Sequence, residues 1–305
     1  MSGRADDSPL RSVIAALHSR RCRVGCVINQ QWDFGANVSD YDGMLLLGDR
    51  AKTLAAAISA TVAGIPIAHV HGGEASFGSF DNQFRDAITK LAHIHFVVAE
   101  PMRQRLLDLG EEPARIHVVG APGLDNIAAS GALEEPALKR KWFVVTYHPA
   151  TLAERRTDPH PLIEALRRFR DYDVVWTGSN DDPGGHEIEV AFNAAGHLNA
   201  NLLLDQYLRI ARRSAAVIGN SSSGIIEAPS LGVPTVNVGP RQDGRLKGPS
   251  VVDCQEDEDM IVEAIERALH YDGPYDNPYG GPGASEKIAG ILATAEIDMV
   301  KRWRS

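Results

Sequence analysis

Three consecutive serines occupy a position where small hydroxyl side chains could bind an anion. Ser221, Ser222 and Ser223 lie between an apolar run and a segment that is predicted to be helical. The first turn of a helix has free N–H groups and the positive end of the helix dipole, and small residues let a phosphate approach both. Helix capping by serine is the alternative interpretation. The pattern therefore indicates either a cap or a phosphate site.

An acid and an arginine downstream favour the phosphate site. Glu227, one helical turn further on, is placed to accept hydrogen bonds from ribose hydroxyls. Arg241 stands with Arg245 in the glycine-flanked segment GPRQDGR, which we expect to be an exposed loop. Its planar guanidinium matches a phosphate bidentately. We therefore predict that residues 216–245 bind a nucleotide diphosphate.

Other candidate residues also follow predicted strands. They are Asp49, Arg50, His69, His71, Glu74, Asp81 and Arg85 in the first half of the chain and His148, Ser179 and Asn180 in the second. Ligands of doubly wound sheets bind beyond the carboxyl ends of the strands, so we expect these residues to share a site. His69 and His71 with Glu74 could suggest zinc, but their spacing is not the helical H-E-x-x-H pattern. We expect no metal and no cofactor.

Short apolar runs alternate with longer amphipathic segments along the whole chain. The predicted strands cover 23–29, 41–49, 65–73, 93–100 and 115–122, and then 142–149, 173–180, 202–206, 215–222 and 234–239. The predicted helices cover 50–64, 84–93, 162–169, 207–214, 223–232 and 283–303, the last with its cap near Ser285. Strands that alternate with helices predict parallel sheets covered on both faces.

The fold class that follows is α/β, with two Rossmann-like doubly wound domains facing a cleft. We expect a domain with the acid/base residues over 1–130 and a nucleotide-binding domain over 131–282. The segment 283–305 is expected to form a helix that packs back across the domains. No G-x-G-x-x-G follows the first predicted strand, which argues against a dinucleotide site.

Composition excludes several classes of protein. The chain has 305 residues, 44% of them hydrophobic and 23% charged, with a net charge of −9. A nucleic-acid partner would usually need a basic face, and no stretch approaches the ~18 apolar residues of a membrane span. Three cysteines and an N-terminus without an apolar signal-peptide core favour a reducing, cytoplasmic location. Cys22 and Cys26 lack the second Cys/His pair of a zinc site.

Several segments resemble one enzyme family, in order from about residue 41 to 290. They include GDRAKTLAAAISATVAGIPIAHVHGGE, FDNQFRDAITKLAHIHFV, VVGAPGLDNI, YHPATL, TGSN, IGNSSSGIIEAPSLGVPTVNVGPRQDGR and NPYGGPGASEKI. They are similar to the hydrolysing UDP-N-acetylglucosamine 2-epimerases, which make N-acetylmannosamine for sialic-acid-type pathways. The resemblance implies a glycosyltransferase-B-like fold, a nucleotide-sugar substrate bound between two domains, and a homodimer or homotetramer.

The resemblance also implies roles for individual residues. Ser221 and Ser222 would hold the diphosphate and Glu227 the ribose. His148 and Arg241 would line the nucleotide site, with Asn180 close by. The chemical residues would be Asp49, Asp81 and the acid or histidine of the HVHGGE loop. Arg4, Ser8 and Arg50 would approach the phosphates from the N-terminal domain.

This chain departs from the family pattern at three places. Some members have glutamate where His71 stands, so the acid–base role belongs either to His71 or to Glu74. The family's R-H-A-I-T-K motif has an acid here, Asp86, instead of histidine. The strand that should precede the segment SGRADDSPLRSVIAAL is absent, so we expect a shortened N-terminal domain.

The function that follows is hydrolytic 2-epimerisation of UDP-N-acetylglucosamine through a 2-acetamidoglucal intermediate. Three alternatives stay open. The same chemistry could act on another acetamido sugar, such as a GDP-linked one. A glycosyltransferase of the same fold would need an acceptor site. A non-catalytic, nucleotide-sugar-binding protein is the third alternative.

Overall fold

The apolar runs of the sequence form the strands of two parallel sheets. The computed structural model describes residues 4–24, 41–129, 140–153, 156–197, 199–200 and 202–302, without the side chains of 4–9 and 128–129. The strands are β1 (Met44–Leu47), β2 (Ile67–Val70), β3 (Ile94–Val97), β4 (Ile116–Val118), β5 (Lys141–Thr146), β6 (Tyr172–Trp176), β7 (Ala216–Gly219), β8 (Thr235–Val238) and β9 (Val251–Cys254).

Helices connect most of these strands. They are α1 (Arg4–Ser19), α2 (Ala51–Val62), α3 (Asp81–Leu91), α4 (Glu100–Asp108), α5 (Gly123–Ala129), α6 (His160–Arg167), α7 (Gly185–Ala194), α8 (Leu204–Arg212), α9 (Ser223–Ile226), α10 (Ala228–Leu231), α11 (Glu258–Leu269) and α12 (Ala284–Leu292). Short 3-10 helices cover Pro113–Arg115 and Pro240–Gln242. Within the described ranges, no helix is both long and apolar enough to cross a membrane.

The chain divides into two α/β units. The first comprises Met1–Ala75, Phe80–Asn126 and Tyr279–Ser305, and the second comprises Ser76–Ser79 and Ile127–Pro278. The first unit has the strand order β1-β2-β3-β4, and every pair is parallel. The residues of its strands are almost all apolar, as expected for a parallel sheet that helices cover on both faces.

The second unit has the strand order β6-β5-β7-β8-β9, again with parallel pairs throughout. The chain leaves β5 toward β6 on one side, whereas it leaves β7 toward β8 on the other. The loops after β5 and β7 therefore diverge and leave a crevice at the carboxyl ends of these two strands. In open α/β sheets this switch point is where ligands bind.

One predicted strand is wrong, and one strand was missed. Residues 202–206 form no strand: helix α8 begins at Leu204, and the side chain of Gln206 accepts a hydrogen bond from the N–H of Leu203 at 2.8 Å. The three leucines 202–204 are apolar, but the residues after them repeat with helical spacing, which decides the structure. Strand β9 was not predicted, because its apolar run is only two residues long.

The C-terminal helix is shorter than predicted. Helix α12 begins at Ala284, beside the predicted cap position near Ser285, but it ends at Leu292, and the hydroxyl of Ser285 does not cap it. The carboxylate of Asp125 caps it instead, accepting a hydrogen bond from the N–H of Ser285 at 2.7 Å. A cap from 160 residues away in the chain leaves no local sign in the sequence. The predicted strand at 23–29 lies outside the described residues from position 25 onward.

Candidate functional site

The buried side chain of Asn220 organises the switch point of the second unit. Its Oδ1 accepts a hydrogen bond from the N–H of His148 at 2.8 Å, and its Nδ2 donates to the carbonyl of His148 at 2.7 Å. Its own carbonyl accepts from Arg241 Nη1 at 2.9 Å and from Gln242 Nε2 at 2.7 Å. One fully buried amide residue therefore joins the loop after β5, the loop after β7 and the loop after β8.

Asn220 can reach His148 because β5 and β7 approach closely at their ends. Gly219 has a φ of 127°, and a Cβ at this position would lie 1.9 Å from the carbonyl oxygen of Thr146. Only glycine permits this conformation together with this contact. The glycine that precedes the serines is therefore required to place Asn220 and the residues after it.

The imidazole of His148 is held in one orientation. Its Nδ1 accepts a hydrogen bond from the backbone N–H of Asn180 at 3.1 Å. In the neutral ring the proton therefore lies on Nε2, which can act as a donor. The preceding Tyr147 is buried and donates from its hydroxyl to Glu256 Oε1 at 2.7 Å, and burial raises the pKa of Glu256. The predicted residues His148 and Asn180 thus lie together.

The three serines have different environments. Ser221 Oγ accepts a hydrogen bond from the N–H of Ser223 at 3.3 Å, whereas the side chain of Ser222 caps no helix. Ser223 Oγ donates to the hydroxyl of Tyr207 at 2.7 Å. Burial, with a further contribution from the charge of Glu227, raises the pKa of Tyr207. Capping therefore explains Ser221 in part and does not explain Ser222.

The segment after the serines is helical, as predicted, but it is divided into α9 and α10 at Glu227. Pro229 has no N–H to donate to the preceding turn, which accounts for the division. Glu227 is partly exposed. The prediction of an exposed loop at GPRQDGR is wrong for Arg241 and Gln242, which are 8% and 2% exposed. They are buried because both side chains turn inward to the carbonyl of Asn220.

In the first unit, Arg85 joins two of the predicted acids. Its guanidinium pairs with the carboxylate of Asp49 through Nη2, and Nη1 donates to the carbonyl of Glu74 at 2.9 Å. The side chain of Arg85 is 1% exposed and that of Asp49 is 18% exposed, so the pair is largely shielded from water. Arg85 is one of the candidate residues that the sequence predicted, at the end of FDNQFR and one helical turn after Asp81.

The side chains of His71 and Glu74 form a second pair. The Nδ1 of His71 contacts Oε1 of Glu74, and the carboxylate of Glu74 is almost fully buried. His71 has a φ of 67°, which is rare outside glycine and costs on the order of 1–3 kcal/mol. Backbone strain of this kind is typical of functional loops. The sequence left the acid–base role open between these two residues, and the structure places them in one hydrogen-bonded pair.

Buried His69 links the loop that ends in Asp49 to helix α3. Its Nε2 hydrogen bonds to the carbonyl of Gly48 at 2.9 Å, and its Nδ1 hydrogen bonds to the hydroxyl of Thr89 at 3.2 Å. Burial lowers the pKa of His69 to about 3, so the ring is neutral. A neutral ring donates from Nε2 to the carbonyl and accepts from Thr89 at Nδ1. Both ring nitrogens are used in these contacts, which makes His69 structural.

The remaining predicted residues have separate places. Asp81 is the first residue of α3 and is buried, four residues before Arg85 on the same helix. Arg50 directly precedes α2 and is partly exposed. Arg4 and Ser8 belong to α1, but their side chains lie outside the described part of the structure. Among the described residues, no group of three or more His, Cys, Asp or Glu side chains could hold a metal.

Known proteins are similar to this chain in sequence and in fold. Residues 27–293 match the family model described as UDP-N-acetylglucosamine 2-epimerase. The polysialic acid biosynthesis protein P7 of Escherichia coli is 34% identical over 264 residues, which cover 82% of this chain and 66% of that protein. A Legionella pneumophila protein named UDP-N,N'-diacetylbacillosamine 2-epimerase (hydrolyzing) is 35% identical over 272 residues, covering 84% of this chain and 72% of that protein.

The fold has solved counterparts. The crystal structure of Methanocaldococcus jannaschii UDP-GlcNAc 2-epimerase, in complex with UDP-GlcNAc and UDP, superposes with a TM-score of 0.77. The two chains are 17% identical, and the match covers 96% of this chain and 98% of that chain. At this identity the likeness shows the fold, which is the α/β, glycosyltransferase-B-like fold with two parallel sheets. The present chain spans about two thirds of the length of the E. coli relative.

Proposed function

Because the chain belongs to the UDP-N-acetylglucosamine 2-epimerase family, we propose that it is a hydrolysing nucleotide-sugar 2-epimerase. In this proposal it converts UDP-N-acetylglucosamine and water to N-acetylmannosamine and UDP. The observation that carries the proposal is the set of proton-handling groups in the first unit, in which the partly buried His71 and Asp49 contact the buried Glu74 and Arg85. Moving a proton on and off C2 requires such groups. The Legionella relative, named as hydrolyzing, supports the hydrolytic outcome.

The first chemical difficulty is that the hydrogen on C2 of the sugar is not acidic. No carbonyl stands beside C2, so the C1–O bond to UDP must begin to break first and build positive charge at C1. The departing diphosphate then carries its negative charge to Ser221, Ser222 and Arg241 of the second unit. A preorganised donor of this kind stabilises a transition state by about 3 kcal/mol. His148 adds a further donor through Nε2.

The second step removes the C2 proton and leaves a double bond between C1 and C2. The electron pair of the C2–H bond forms the double bond while UDP leaves with the electrons of the C1–O bond. The acceptor of the proton is the His71–Glu74 pair. A carboxylate hydrogen bonded to an imidazole makes that imidazole a stronger base. The products of this half-reaction are 2-acetamidoglucal, UDP and a protonated pair.

The last step adds water across the double bond. The oxygen of water bonds to C1 and releases one proton to the solvent, and a proton is delivered to C2 from the face opposite to the one that lost it. The acid that gives this proton is reprotonated from the solvent before the next turnover. Asp81 or Asp49 supplies this proton. Arg85 contacts Asp49 directly, and because such a counter-charge stabilises a carboxylate, the contact favours Asp81 as the donor. The net result is hydrolysis of the C1–O bond with inversion at C2.

A second substrate has specific support. The relative with 35% identity is named as a 2-epimerase of UDP-N,N'-diacetylbacillosamine. This compound differs from UDP-N-acetylglucosamine in its sugar, but a 2-epimerase inverts the same carbon, C2, in both. The groups described above act on C1, C2 and the diphosphate, which both substrates share. The proposed chemistry therefore holds for either sugar, and the substrate is decided by experiment.

Incubation of the protein with each nucleotide sugar in deuterated water tests the proposal by proton NMR. We expect release of UDP together with a free 2-epimerised sugar that carries deuterium at C2. Release of UDP with unlabelled C2 would contradict epimerisation, and transfer to an added sugar acceptor would indicate a glycosyltransferase. Binding of UDP without turnover of either substrate would indicate a non-catalytic protein.

A further inference from the structure

A second guanidinium reaches the loop that carries His71 and Glu74. Arg105, on helix α4, donates from Nη1 to the carbonyl oxygen of Glu74 at 2.6 Å. Arg85 Nη1 donates to the same oxygen at 2.9 Å. A carbonyl oxygen has two lone pairs, so these two charged donors use its full capacity. The backbone of Glu74 is thus fixed from two helices, α3 and α4.

Each of the two arginines has its own carboxylate. Arg85 pairs with Asp49, and Arg105 Nη2 donates to both carboxylate oxygens of Asp86, at 2.9 and 3.2 Å. Two guanidinium groups that converge on one oxygen repel each other, and the paired carboxylates offset this repulsion. Asp86 is the residue that stands where the family motif has histidine. The change therefore has a physical consequence in this chain, because it supplies the charge that orients Arg105.

The loop itself is seated on the helix that carries Arg105. Gly73 has a φ of 77°, and a Cβ there would lie 2.5 Å from Leu106 Cδ1 and 2.6 Å from the carbonyl of Met102. His71 also has a positive φ. A loop without stabilising contacts would not keep two residues in the left-handed conformation within three positions. Contacts with α4 hold it, and the charged contact from Arg105 is the directional one.

From these contacts we infer that Arg105 is a positioning residue for the His71–Glu74 pair and that Asp86 orients Arg105. The inference rests on the proposed function, since the pair is the proposed acceptor of the C2 proton. Arg105 touches no reacting atom in this scheme. It acts by fixing the carbonyl of Glu74, which sets the direction of the Glu74 carboxylate toward His71. Loss of Arg105 should therefore slow proton transfer and leave nucleotide binding in the second unit unchanged.

The same helix provides a matched control. Arg103 donates to Glu100 at 3.1 Å, and both side chains of this i,i+3 pair are substantially exposed. Arg103→Gln removes the same charge from α4 as Arg105→Gln does, without touching the loop. A difference between the two variants therefore reports the contact with Glu74 and not the charge of the helix.

Steady-state kinetics with UDP-N-acetylglucosamine and with its C2-deuterated form test the inference. We expect kcat of Arg105→Gln to fall by tens-fold, since misplacement by 1 Å costs about 100-fold, while KM changes less than about twofold. The C2 isotope effect should rise, because proton removal becomes more rate-limiting. A smaller active fraction would lower kcat without moving the isotope effect. Arg105→Lys should recover part of kcat, and Asp86→Asn should lower it several-fold.

Hydrogen exchange provides a readout that does not depend on activity. Peptides that cover residues 71–75 should exchange faster in Arg105→Gln than in Arg103→Gln, with the melting temperatures of both variants measured alongside. Equal exchange, or equal kcat and isotope effects in the two variants, overturns the inference. If the wild-type protein releases no UDP from either nucleotide sugar, the proposed function fails, and the exchange comparison alone still decides whether Arg105 positions the loop.

Discussion

The two candidate sites of this chain are held in place by opposite means. In the first unit, charged side chains do the positioning: Arg85 forms an ion pair with Asp49, and the carboxylate of Glu74 hydrogen bonds to the imidazole of His71. In the second unit, the neutral amide of Asn220 positions His148 and accepts from Arg241 through its carbonyl. The proposed proton-transfer residues are thus positioned by charged side chains, whereas the proposed phosphate-binding residues are positioned by the neutral amide and carbonyl groups of Asn220.

This difference has a physical reason. A proton-handling group works at a defined position and charge state, and a buried counter-charge supplies both. A phosphate site needs donors that point at the anion without added negative charge nearby. A carbonyl oxygen orients a guanidinium and carries no net charge. The carbonyl of Asn220 can therefore hold Arg241 in place without neutralising the positive charge of Arg241, which still attracts phosphate. The comparison predicts that substitutions in the first unit mainly change turnover and pH response, whereas those in the second mainly change nucleotide binding.

The largest expected effect tests the first half of this comparison. Asp81→Asn keeps the size and the hydrogen-bond acceptor of the side chain but removes its proton. We expect turnover to fall by about 10³-fold, within the usual range for a general acid, while the Kd for UDP stays the same. The measurements are UDP release and calorimetric UDP binding. Asp108→Asn, at an exposed acid of α4, is the control, and normal turnover of Asp81→Asn would remove Asp81 from the mechanism.

The sequence predicts this site unevenly, and the reason lies in what kind of contact each residue makes. Residues at strand ends could be found because an apolar run marks each strand and ligands bind beyond its carboxyl end. Asp49, His71 and Asn180 all follow this rule. The role of Asn220 could not be found, because its partner His148 is 72 residues away and the partner atoms are backbone atoms. Backbone hydrogen-bonding groups are the same at almost every residue, so the sequence does not show which of them a side chain contacts.

The fold shows the same division. Most strands were predicted since buried parallel strands are continuous apolar runs, which the sequence displays directly. The strand β9 was missed because only Val251 and Val252 are aliphatic in it. The cap of α12 by Asp125 and the burial of Arg241 depend on contacts between distant segments. Local patterns therefore predict the elements, and tertiary contacts decide how the functional side chains are turned.

Acid should destabilise the first unit through His69. Burial holds the pKa of His69 at about 3, whereas the unfolded residue titrates near 6.5. As pH falls below 6.5, His69 becomes protonated in the unfolded state but stays neutral in the folded state. The contribution of His69 to the unfolding free energy is therefore present above pH 6.5 and is lost as pH falls toward 3. Between about pH 7 and about pH 4 the loss in unfolding free energy is about 3 kcal/mol.

Urea unfolding of the wild type and of His69→Gln across this pH range checks the sign and size. Glutamine can donate to the carbonyl of Gly48 but does not titrate, so the difference in unfolding free energy between the two proteins should shrink as pH falls. His186→Gln, at an exposed histidine of α7, is the matched control. A constant difference across the range would show that His69 does not stay neutral in the folded protein.

A smaller effect is expected from Asn220→Ala, which tests the second half of the comparison. The N–H and the carbonyl of His148 both lose their buried partner, and each such loss costs about 1–3 kcal/mol. We expect a loss of about 2 kcal/mol in unfolding free energy and a weaker Kd for UDP, because His148 loses its fixed position. Asn193→Ala, at an exposed position of α7, should change neither quantity. An unchanged Kd would mean that the amide is structural only.

The smallest effect concerns Ser222, which is the one of the three serines that neither capping nor the contact with Tyr207 explains. If its hydroxyl donates to the diphosphate, Ser222→Ala removes one hydrogen bond to a charged group, worth about 1.5 kcal/mol. The Kd for UDP should then rise about tenfold, while thermal stability stays the same. Calorimetric titration with UDP and with uridine separates the phosphate contribution, since only UDP binding should weaken. Ser19→Ala, at the exposed last residue of α1, is the control. Equal weakening for uridine would place Ser222 against the nucleoside, and no weakening would confine anion binding to Ser221 and Arg241.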